Sequence, residues 1–365
     1  MKYKNKIENL TSNISSTLID FSKERTKGRM PTQVSSNFIT NKEQGDWAER
    51  LVLSAINSTS KNYIAVRYGK SDDLIAGDVG FSKFYEEYQT ELDDIGKRPD
   101  LLIFKKDNYN SEWRDDISNL SQIKLNDIVP KAIAGLEIRS SAFLIDKYEA
   151  EMNTRTNNAI CKAINAKNII LSNYKDLLIG VKEKWIKILE DITEDTLEIT
   201  DFRRPSWSSS PRLIELSQHF KDLKDAIQEI HKRDFLSITP KVEDLKVVNK
   251  WIEKYNVPHY YFQVFFDKVY GISFEDILKL ITDSDKEGLD YFIESDTKNQ
   301  NKTTIKINSK LGQEIAYKIE MPEHKSKMRE LARGRLLFYI IFNGGKAYLD
   351  INNLLQLLNI NEENF

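Results

Sequence analysis

The sequence predicts an α/β (α+β) fold in which helices flank a mixed central β-sheet. Apolar, strand-like runs occur at "NYIAVRYG" (62–69), "RPDLLIF" (98–104) and "KAIAGLEIRSSAFLI" (131–145). Between residues 234 and 281 a strand, helix, strand alternation follows, which is expected where a helix packs across a sheet. With 365 residues, the chain is long enough to bury a large core.

The helices are predicted from apolar residues at three- and four-residue spacing. Residues 4–26 read as an amphipathic helix, and "GDWAERLVLSAINS" starts a second helix with Asp46 as its cap and Glu49 in its first turn. The segment before it, "PTQVSSNFITNKEQ", reads as polar and flexible. Residues 146–232 are mainly helical, interrupted by the basic, Ser- and Pro-rich loop "TDFRRPSWSSSPR".

The C-terminal half is predicted to return to strands. "DFLSIT" is a short strand, "VEDLKVVNKWIEKY" a helix, and "HYYFQVFFDKVYGI" one apolar, aromatic strand. From about residue 290 the runs "KTTIKI", "EIAYKIEM" and "RLLFYIIF" indicate further strands, with a turn at "NGG".

Charge and cysteine content exclude several classes of protein. The 54 Lys and Arg residues nearly balance 56 Asp and Glu residues, giving a net charge of -2, so a polyanion must be contacted by a local surface. The single cysteine, Cys161, excludes an intramolecular disulfide and a multi-cysteine zinc site, and its surroundings predict a small buried core residue. The four histidines show no metal-ligand spacing: His219, His231, His259 and His324.

The expected location is the cytoplasm. The N-terminus lacks the apolar core and cleavage site of a signal peptide. No stretch of 18 apolar residues is present, so we expect no membrane partner.

Two strand-like runs each carry a carboxylate. Asp100 precedes "LLIF", and Glu137 lies between aliphatic residues in "GLEIRSS". Burying an unpaired carboxylate is unfavourable, so such a residue needs a charge partner, a hydrogen-bond donor or a metal. The structural alternative is that Asp100 caps a turn after Pro99 and that Glu137 pairs with Arg139 on the same strand face.

A helix with an early acidic residue, then Pro-Asp, then Glu-x-Arg, resembles the PD-(D/E)xK nuclease superfamily. The ordered run "TNKEQGDWAE", "RPDLLIF", "GLEIRSSAFL", "FLSITPKVEDL" and "VPHYYFQVFFDKVYGISF" is similar to type II restriction endonucleases, and most to the AccI-like group. The resemblance covers residues 30–280. It implies a restriction-endonuclease-like core with a helical insertion and a C-terminal β-rich extension.

The resemblance implies five segments. These are an N-terminal helix and polar loop (1–40), two halves of the nuclease core (41–145 and 233–285), a mainly helical insertion that could bind DNA (146–232) and a C-terminal extension (286–365).

By the same resemblance, Asp100 and Glu137 are expected to bind Mg²⁺, with Glu49 as a third carboxylate. Hard cations take oxygen ligands on rigid elements and assist phosphodiester hydrolysis. Arg139 stands where the superfamily usually has lysine. Because arginine stays protonated, it could orient a water or stabilise the phosphate but not act as a base.

A lysine from elsewhere could take the usual lysine role. Lys241, just past a strand end, and Lys147, beyond the Glu137 strand, are the alternatives.

DNA contacts are expected from local basic and amide-rich segments. The Ser-rich loop offers Arg203, Arg204, Trp207 and Arg212, although a solvated loop with Trp207 in the core is an equal alternative. The polar segment before the second helix offers Gln33, Ser35, Ser36 and Asn37, unless it is a plain linker. In a helical "HKSKMRELARGR", Lys325, Arg329 and Arg333 would form a basic stripe, although such stripes are usually solvated faces.

The resemblance therefore implies a Mg²⁺-dependent, sequence-specific endonuclease that cuts duplex DNA and leaves 5′-phosphates. A homodimer is expected because recognised sites are usually palindromic. A cognate methyltransferase would act on the same site without needing to bind this chain. The alternatives are a non-catalytic DNA-binding or scaffold protein on the same fold, and a nuclease for branched or single-stranded substrates.

Overall fold

The computed structural model describes residues 2–15, 18–25, 27–70, 74–296, 302–331 and 334–361. The chain forms two compact units: Met1–Ile145 together with Leu236–Phe365, and Asp146–Phe235.

The strands are β1 (Tyr63–Arg67), β2 (Leu101–Lys105), β3 (Ala134–Ser140), β4 (Ser237–Ile238), β5 (His259–Val264), β6 (Val269–Ser273), β7 (Tyr291–Asp296), β8 (Lys302–Asn308), β9 (Gln313–Glu320), β10 (Glu323–Leu331), β11 (Arg335–Asn343) and β12 (Lys346–Leu349). The helices are α1 (Lys2–Ser12), α2 (Ser36–Thr59), α3 (Phe81–Asp94), α4 (Gln122–Ile128), α5 (Ile145–Asn173), α6 (Lys175–Lys182), α7 (Lys184–Glu190), α8 (Pro211–Ile230), α9 (Val242–Tyr255), α10 (Phe274–Ile281) and α11 (Ile351–Leu358).

The first unit is built on a seven-stranded sheet in the order β1-β2-β3-β5-β6-β9-β12. Strands β3 and β5 run parallel, and the other described neighbours are antiparallel. The predicted fold class, a mixed sheet with flanking helices and a strand-rich C-terminal region, is confirmed. Two C-terminal strands, β9 and β12, extend the central sheet itself.

Helix α2 packs its apolar side on the sheet, with Trp47, Leu51 and Ile56 in the same buried cluster as β2 and β3. Its cap lies eleven residues before the predicted one, because the Ser35 hydroxyl accepts a hydrogen bond from the Phe38 N–H at 3.1 Å. The prediction of Asp46 as the cap was wrong. Asp46 instead pairs with Lys42 at 2.8 Å. Because the helix starts at Ser36, Glu49 lies in its middle rather than in its first turn.

Two other predicted elements have different lengths. The first helix ends at Ser12, because the Ser12 and Asn13 side chains bond the Asn9 carbonyl and compete with helix continuation. The predicted aromatic strand is a hairpin, β5 and β6, with a turn closed by a hydrogen bond from the Phe265 N–H to the Lys268 carbonyl.

Two surface predictions were also wrong. Cys161 is exposed on α5 rather than buried in the core. The segment expected to carry a helical basic stripe is the strand β10, paired with β11, so Lys325 and Arg329 are not one helical turn apart. Arg333 lies outside the described residues.

The second unit packs α5–α8 around its own apolar cluster. Trp185 and Phe220 are buried in this cluster, with ring centroids 5.1 Å apart. Within the described parts of the chain, no helix combines the length and the apolar character needed to cross a membrane.

Candidate active site

Asp100, the residue directly before β2, stands beside Glu137 of β3. Leu101 pairs with Leu136 between β2 and β3, so one further step in the antiparallel register sets Asp100 beside Glu137. The backbone N–H of Ile138 donates to Asp100 Oδ2 at 2.6 Å. Asp100 thus uses its side chain to tie β2 to β3, rather than to cap a turn after Pro99.

Gly69 lets the chain after β1 lie directly against Asp100. The N–H groups of Tyr68 and Gly69 both donate to the Asp100 carbonyl at 2.9 Å. A Cβ at Gly69 would approach Asp100 Cα to 2.9 Å, which is closer than real side chains come. The chain after β1 therefore holds the Asp100 backbone in place.

Glu137 is almost fully buried, with 2% of its side chain exposed. Its Oε1 lies 2.7 Å from Lys97 Nζ and 2.6 Å from Arg139 Nη2. Its other oxygen, Oε2, is buried and accepts no hydrogen bond from any described residue. The Glu137 to Arg139 pair of the structural alternative is present, but it uses only one of the two carboxylate oxygens.

Lys97 and Asp244 complete a four-residue ionic cluster with Glu137 and Arg139. Lys97 Nζ lies 2.8 Å from Asp244 Oδ2, and Arg139 Nη2 lies 3.6 Å from the same oxygen. Asp244 comes from the first turn of α9. Lys97 precedes β2 by a few residues, and its backbone N–H bonds the Val247 carbonyl of α9 at 2.9 Å.

Glu49 reaches the same region from α2 and faces Arg67 of β1. Its Oε2 lies 3.6 Å from Arg67 Nη2. Burial raises the pKa of Glu49 from 4.5 to about 7; Arg67 opposes the change, and the negative charges of Asp46 and Glu137 add to it.

The neighbouring carboxylates Asp100 and Glu137 have opposite pKa shifts. Burial, followed by the charges of Glu137 and Glu49, raises the pKa of Asp100 well above its usual range. Burial would also raise the pKa of Glu137, but Lys97 and Arg139 outweigh it and lower that pKa. The surrounding charges therefore favour the ionised form of Glu137 more than that of Asp100.

Two further polar groups are buried beside Glu137 on β5. Tyr261 stands next to Glu137 in the parallel register, and His259 stands next to Gly135. Neither the Tyr261 hydroxyl nor the His259 ring nitrogens bond any described residue. Burial lowers the pKa of His259 to about 4, so its ring is neutral at pH 7.

The donors of this region fit a hard cation in part. Among the described residues, no group of three or more Asp, Glu, His or Cys side chains is arranged to hold a metal ion. Mg²⁺, however, commonly uses one or two carboxylates and takes its other oxygens from water and substrate phosphates. Asp100 and the unpartnered Oε2 of Glu137 offer that smaller set.

The whole chain was compared with models of protein families. The model of the AccI restriction endonuclease family matches residues 1–365. The chain belongs to the AccI restriction endonuclease family. The match extends beyond residues 30–280, where the sequence motifs lie, to both ends of the chain. No curated protein and no solved structure matches significantly.

In this AccI-family chain, sequence reasoning missed Lys97 and Asp244. The only sequence signal for Lys97 is its position just before the Pro-Asp motif, in "KRPD", and Asp244 reads as an ordinary first-turn helix acid. Lys241, the predicted lysine, is the N-cap residue of α9. Burial acts to raise the pKa of Asp244, but the charge of Lys97 and then that of Lys241 outweigh it and lower that pKa. Lys147 lies exposed in α5.

The predicted DNA-binding residues near α2 surround the start of that helix. Gln33 and Ser35 are exposed before it, with Ser35 as the cap, and Asn37 is exposed in its first turn beside the half-buried Ser36. The same helix carries Glu49, so Ser36 and Asn37 lie on one rigid element with this carboxylate of the candidate site.

The Ser-rich loop of the second unit presents its residues differently. Arg203 and Arg204 are exposed. The Trp207 ring packs 5.8 Å from the Phe220 ring, as in the alternative that assigns it to the core. Arg212 is tied to Asp176 at 3.1 Å and to the Asn173 carbonyl at 3.2 Å.

Proposed function

We propose that this chain is a Mg²⁺-dependent, sequence-specific endonuclease that hydrolyses both strands of duplex DNA and leaves 5′-phosphates. The observation that supports this most directly is the buried, unpartnered Oε2 of Glu137 beside Asp100. A carboxylate oxygen in that state is unfavourable unless a ligand completes it, and a hard cation is the ligand that carboxylates of adjacent strands suit.

In the proposed site, Asp100 and Glu137 hold Mg²⁺ and Glu49 assists. Mg²⁺ bound there supplies Lewis-acid polarisation of the phosphoryl group. Water adds its oxygen to phosphorus as the bond from phosphorus to O3′ breaks. The O3′ oxygen takes up a proton to become a hydroxyl, and the phosphate remains on the 5′ end.

The chain's own charges prepare the site for this reaction. Arg139 neutralises part of the Glu137 charge, and 28% of its side chain is exposed to solvent. The rigid ties of Asp100 to Ile138, Tyr68 and Gly69 hold one ligand in place without substrate.

We further propose a cytoplasmic homodimer. A palindromic site presents the same bases to two protomers related by two-fold symmetry, and each protomer would cut one strand. The cognate methyltransferase would share the DNA site and need not contact this chain.

The test is digestion of a long, unmethylated duplex by the purified protein with and without Mg²⁺. The comparison proteins are Asp100→Asn, Glu137→Gln and, as a matched control, Glu87→Gln on α3, where the carboxylate is 53% exposed. We expect discrete fragments from wild type and control in Mg²⁺, with 5′-phosphate ends, and no fragments from the two site variants.

Two results would contradict the proposal. Equal binding of duplex DNA with and without Mg²⁺, and no cleavage in any divalent ion, would favour the scaffold alternative. Cleavage of branched or single-stranded DNA without fixed fragments from a duplex would favour a structure-specific nuclease.

A further inference from the structure

We propose that Lys97 is a catalytic residue whose ammonium group contacts the scissile phosphate, and that Asp244 is its positioning residue. The inference rests on the proposed function, because it names the cation that acts with Asp100 and Glu137. It assigns to Lys97 the role that sequence reasoning left between Arg139, Lys241 and Lys147.

The backbone places Lys97 firmly at the site. Gly96 has φ of +84°, and a Cβ there would lie 2.2 Å from the Val247 carbonyl oxygen and 2.6 Å from the Trp251 nitrogen. Only glycine permits this approach of the chain to α9. The adjacent hydrogen bond from the Lys97 N–H to Val247 then directs the next residues toward the site.

The side chain of Lys97 is held but not fully used. An ammonium has three N–H donors. Glu137 Oε1 at 2.7 Å and Asp244 Oδ2 at 2.8 Å take two of them. With 14% of the side chain exposed, the third donor is available to a phosphate oxygen entering beside Glu137.

Arg139 is less suited to this role, although it occupies the motif position. Its Nη2 is committed to Glu137 at 2.6 Å and faces Asp244 at 3.6 Å. Its Nε is buried and bonds no described residue. The Lys97 ammonium can turn its remaining N–H toward charge that develops on a phosphate, whereas the planar guanidinium of Arg139 has a fixed fork of donors.

A purely structural role explains the cluster poorly. Buried ion pairs contribute little net stability compared with apolar groups of similar size, so their presence in a core is weak evidence for stabilisation. Here the cluster borders a carboxylate oxygen without a partner, which indicates a binding function instead.

The first measurement is single-turnover cleavage by Lys97→Met, with DNA affinity measured separately in Ca²⁺ on the same duplex. We expect the cleavage rate to fall by about 100-fold or more, as for loss of a catalytic group, while affinity stays within about threefold. Lys83→Met, whose side chain is 85% exposed on α3, is the matched control and should match wild type.

The second measurement is Mn²⁺ binding without DNA, which is independent of cleavage. Removing the Lys97 charge, which lies 2.7 Å from Glu137, should strengthen Mn²⁺ binding by about fivefold or more, since the ammonium and a cation bound to Glu137 repel each other. Asp244→Asn should weaken Mn²⁺ binding, because the Lys97 charge is then no longer shared with Asp244 and acts on Glu137 only. A variant that slows cleavage yet binds metal more tightly is not explained by a damaged fold.

The role of Asp244 is tested by combining the substitutions. If Asp244 acts through Lys97, Asp244→Asn should slow cleavage by about tenfold, and Lys97→Met with Asp244→Asn should be no slower than Lys97→Met. The double variant removes one charge of each sign, so it also replaces Lys97→Met if that protein fails to fold.

The outcomes separate this inference from the proposed function. A wild-type protein that cuts DNA beside a Lys97→Met protein that cuts within threefold of it would overturn the inference alone. Equal losses of DNA affinity and cleavage, or unchanged Mn²⁺ affinity, would also overturn it. A wild-type protein that cuts no duplex would overturn the proposed function, and with it the role of Lys97 in hydrolysis.

Discussion

The backbone N–H of Ile138 donates to Asp100 Oδ2 at 2.6 Å, so the strand that carries Glu137 also holds the carboxylate beside it. This tie gives Asp100 and Glu137 a fixed spacing before any ligand binds. It also leaves them unequal, because Glu137 lies against Lys97 and Arg139 whereas Asp100 is near two other carboxylates.

Replacing the two carboxylates should have opposite effects on stability. Asp100→Asn keeps an acceptor for the Ile138 N–H and removes a group whose pKa is raised by burial, so it should stabilise the protein by about 1 kcal/mol. Glu137→Gln leaves Lys97 and Arg139 without their shared anion and should cost about 3 kcal/mol. Urea unfolding at pH 7 without divalent ions measures both. Similar losses in the two variants would contradict this assignment of charge.

The sequence was sufficient to predict elements that depend on short runs of residues and on the pairing of neighbouring strands. The strands β1, β2 and β3 lie in the predicted runs, and the register of β2 and β3 brings Asp100 to Glu137 as two adjacent strands should. The C-terminal strands β8, β9 and β11 also fall in the runs predicted to be strands.

Contacts between distant segments were beyond sequence reasoning. Lys97 and Asp244 are 147 positions apart and meet only because Gly96 brings the chain against α9. The start of α2 failed for a related reason. Both Ser35 and Asp46 have side chains that can cap a helix, and the burial of Val34 and Ile39, visible only in three dimensions, favours the earlier start.

Gly96→Ala should displace Lys97 and destabilise the fold. The added Cβ would lie 2.2 Å from the Val247 carbonyl oxygen, and φ of +84° is strained for alanine, so we expect a loss of about 3 kcal/mol. Gly45→Ala, in the middle of α2 with no atom within 4 Å of the new Cβ, should instead stabilise by about 1 kcal/mol. Chemical denaturation of both proteins tests this pair, and equal shifts would argue against the close approach at Gly96.

Stability without metal should fall as pH rises through the titration of Glu49. Its pKa is raised from 4.5 to about 7, chiefly by burial, so the folded protein binds a proton more tightly than the unfolded chain between these values. The free energy of unfolding should therefore decrease from pH 4.5 to pH 7 by on the order of 2 kcal/mol through this residue. Glu49→Gln should be more stable than wild type at pH 8 and similar at pH 4.5. An unchanged difference between the two proteins across this range would contradict the shift.

Arg203 and Arg204 should contribute to DNA affinity without affecting the cleavage step. Both are exposed, whereas Arg212 is engaged by Asp176 and the Asn173 carbonyl. If both bind phosphates, Arg203→Ala with Arg204→Ala should make the negative slope of log affinity against log salt shallower by about 2, since each phosphate contact contributes about 1 to its magnitude. Arg212→Ala should change the slope less, because part of its charge is already neutralised. Binding isotherms in Ca²⁺ at several salt concentrations give the slopes. A double variant with the wild-type slope would show that this loop does not contact the DNA backbone.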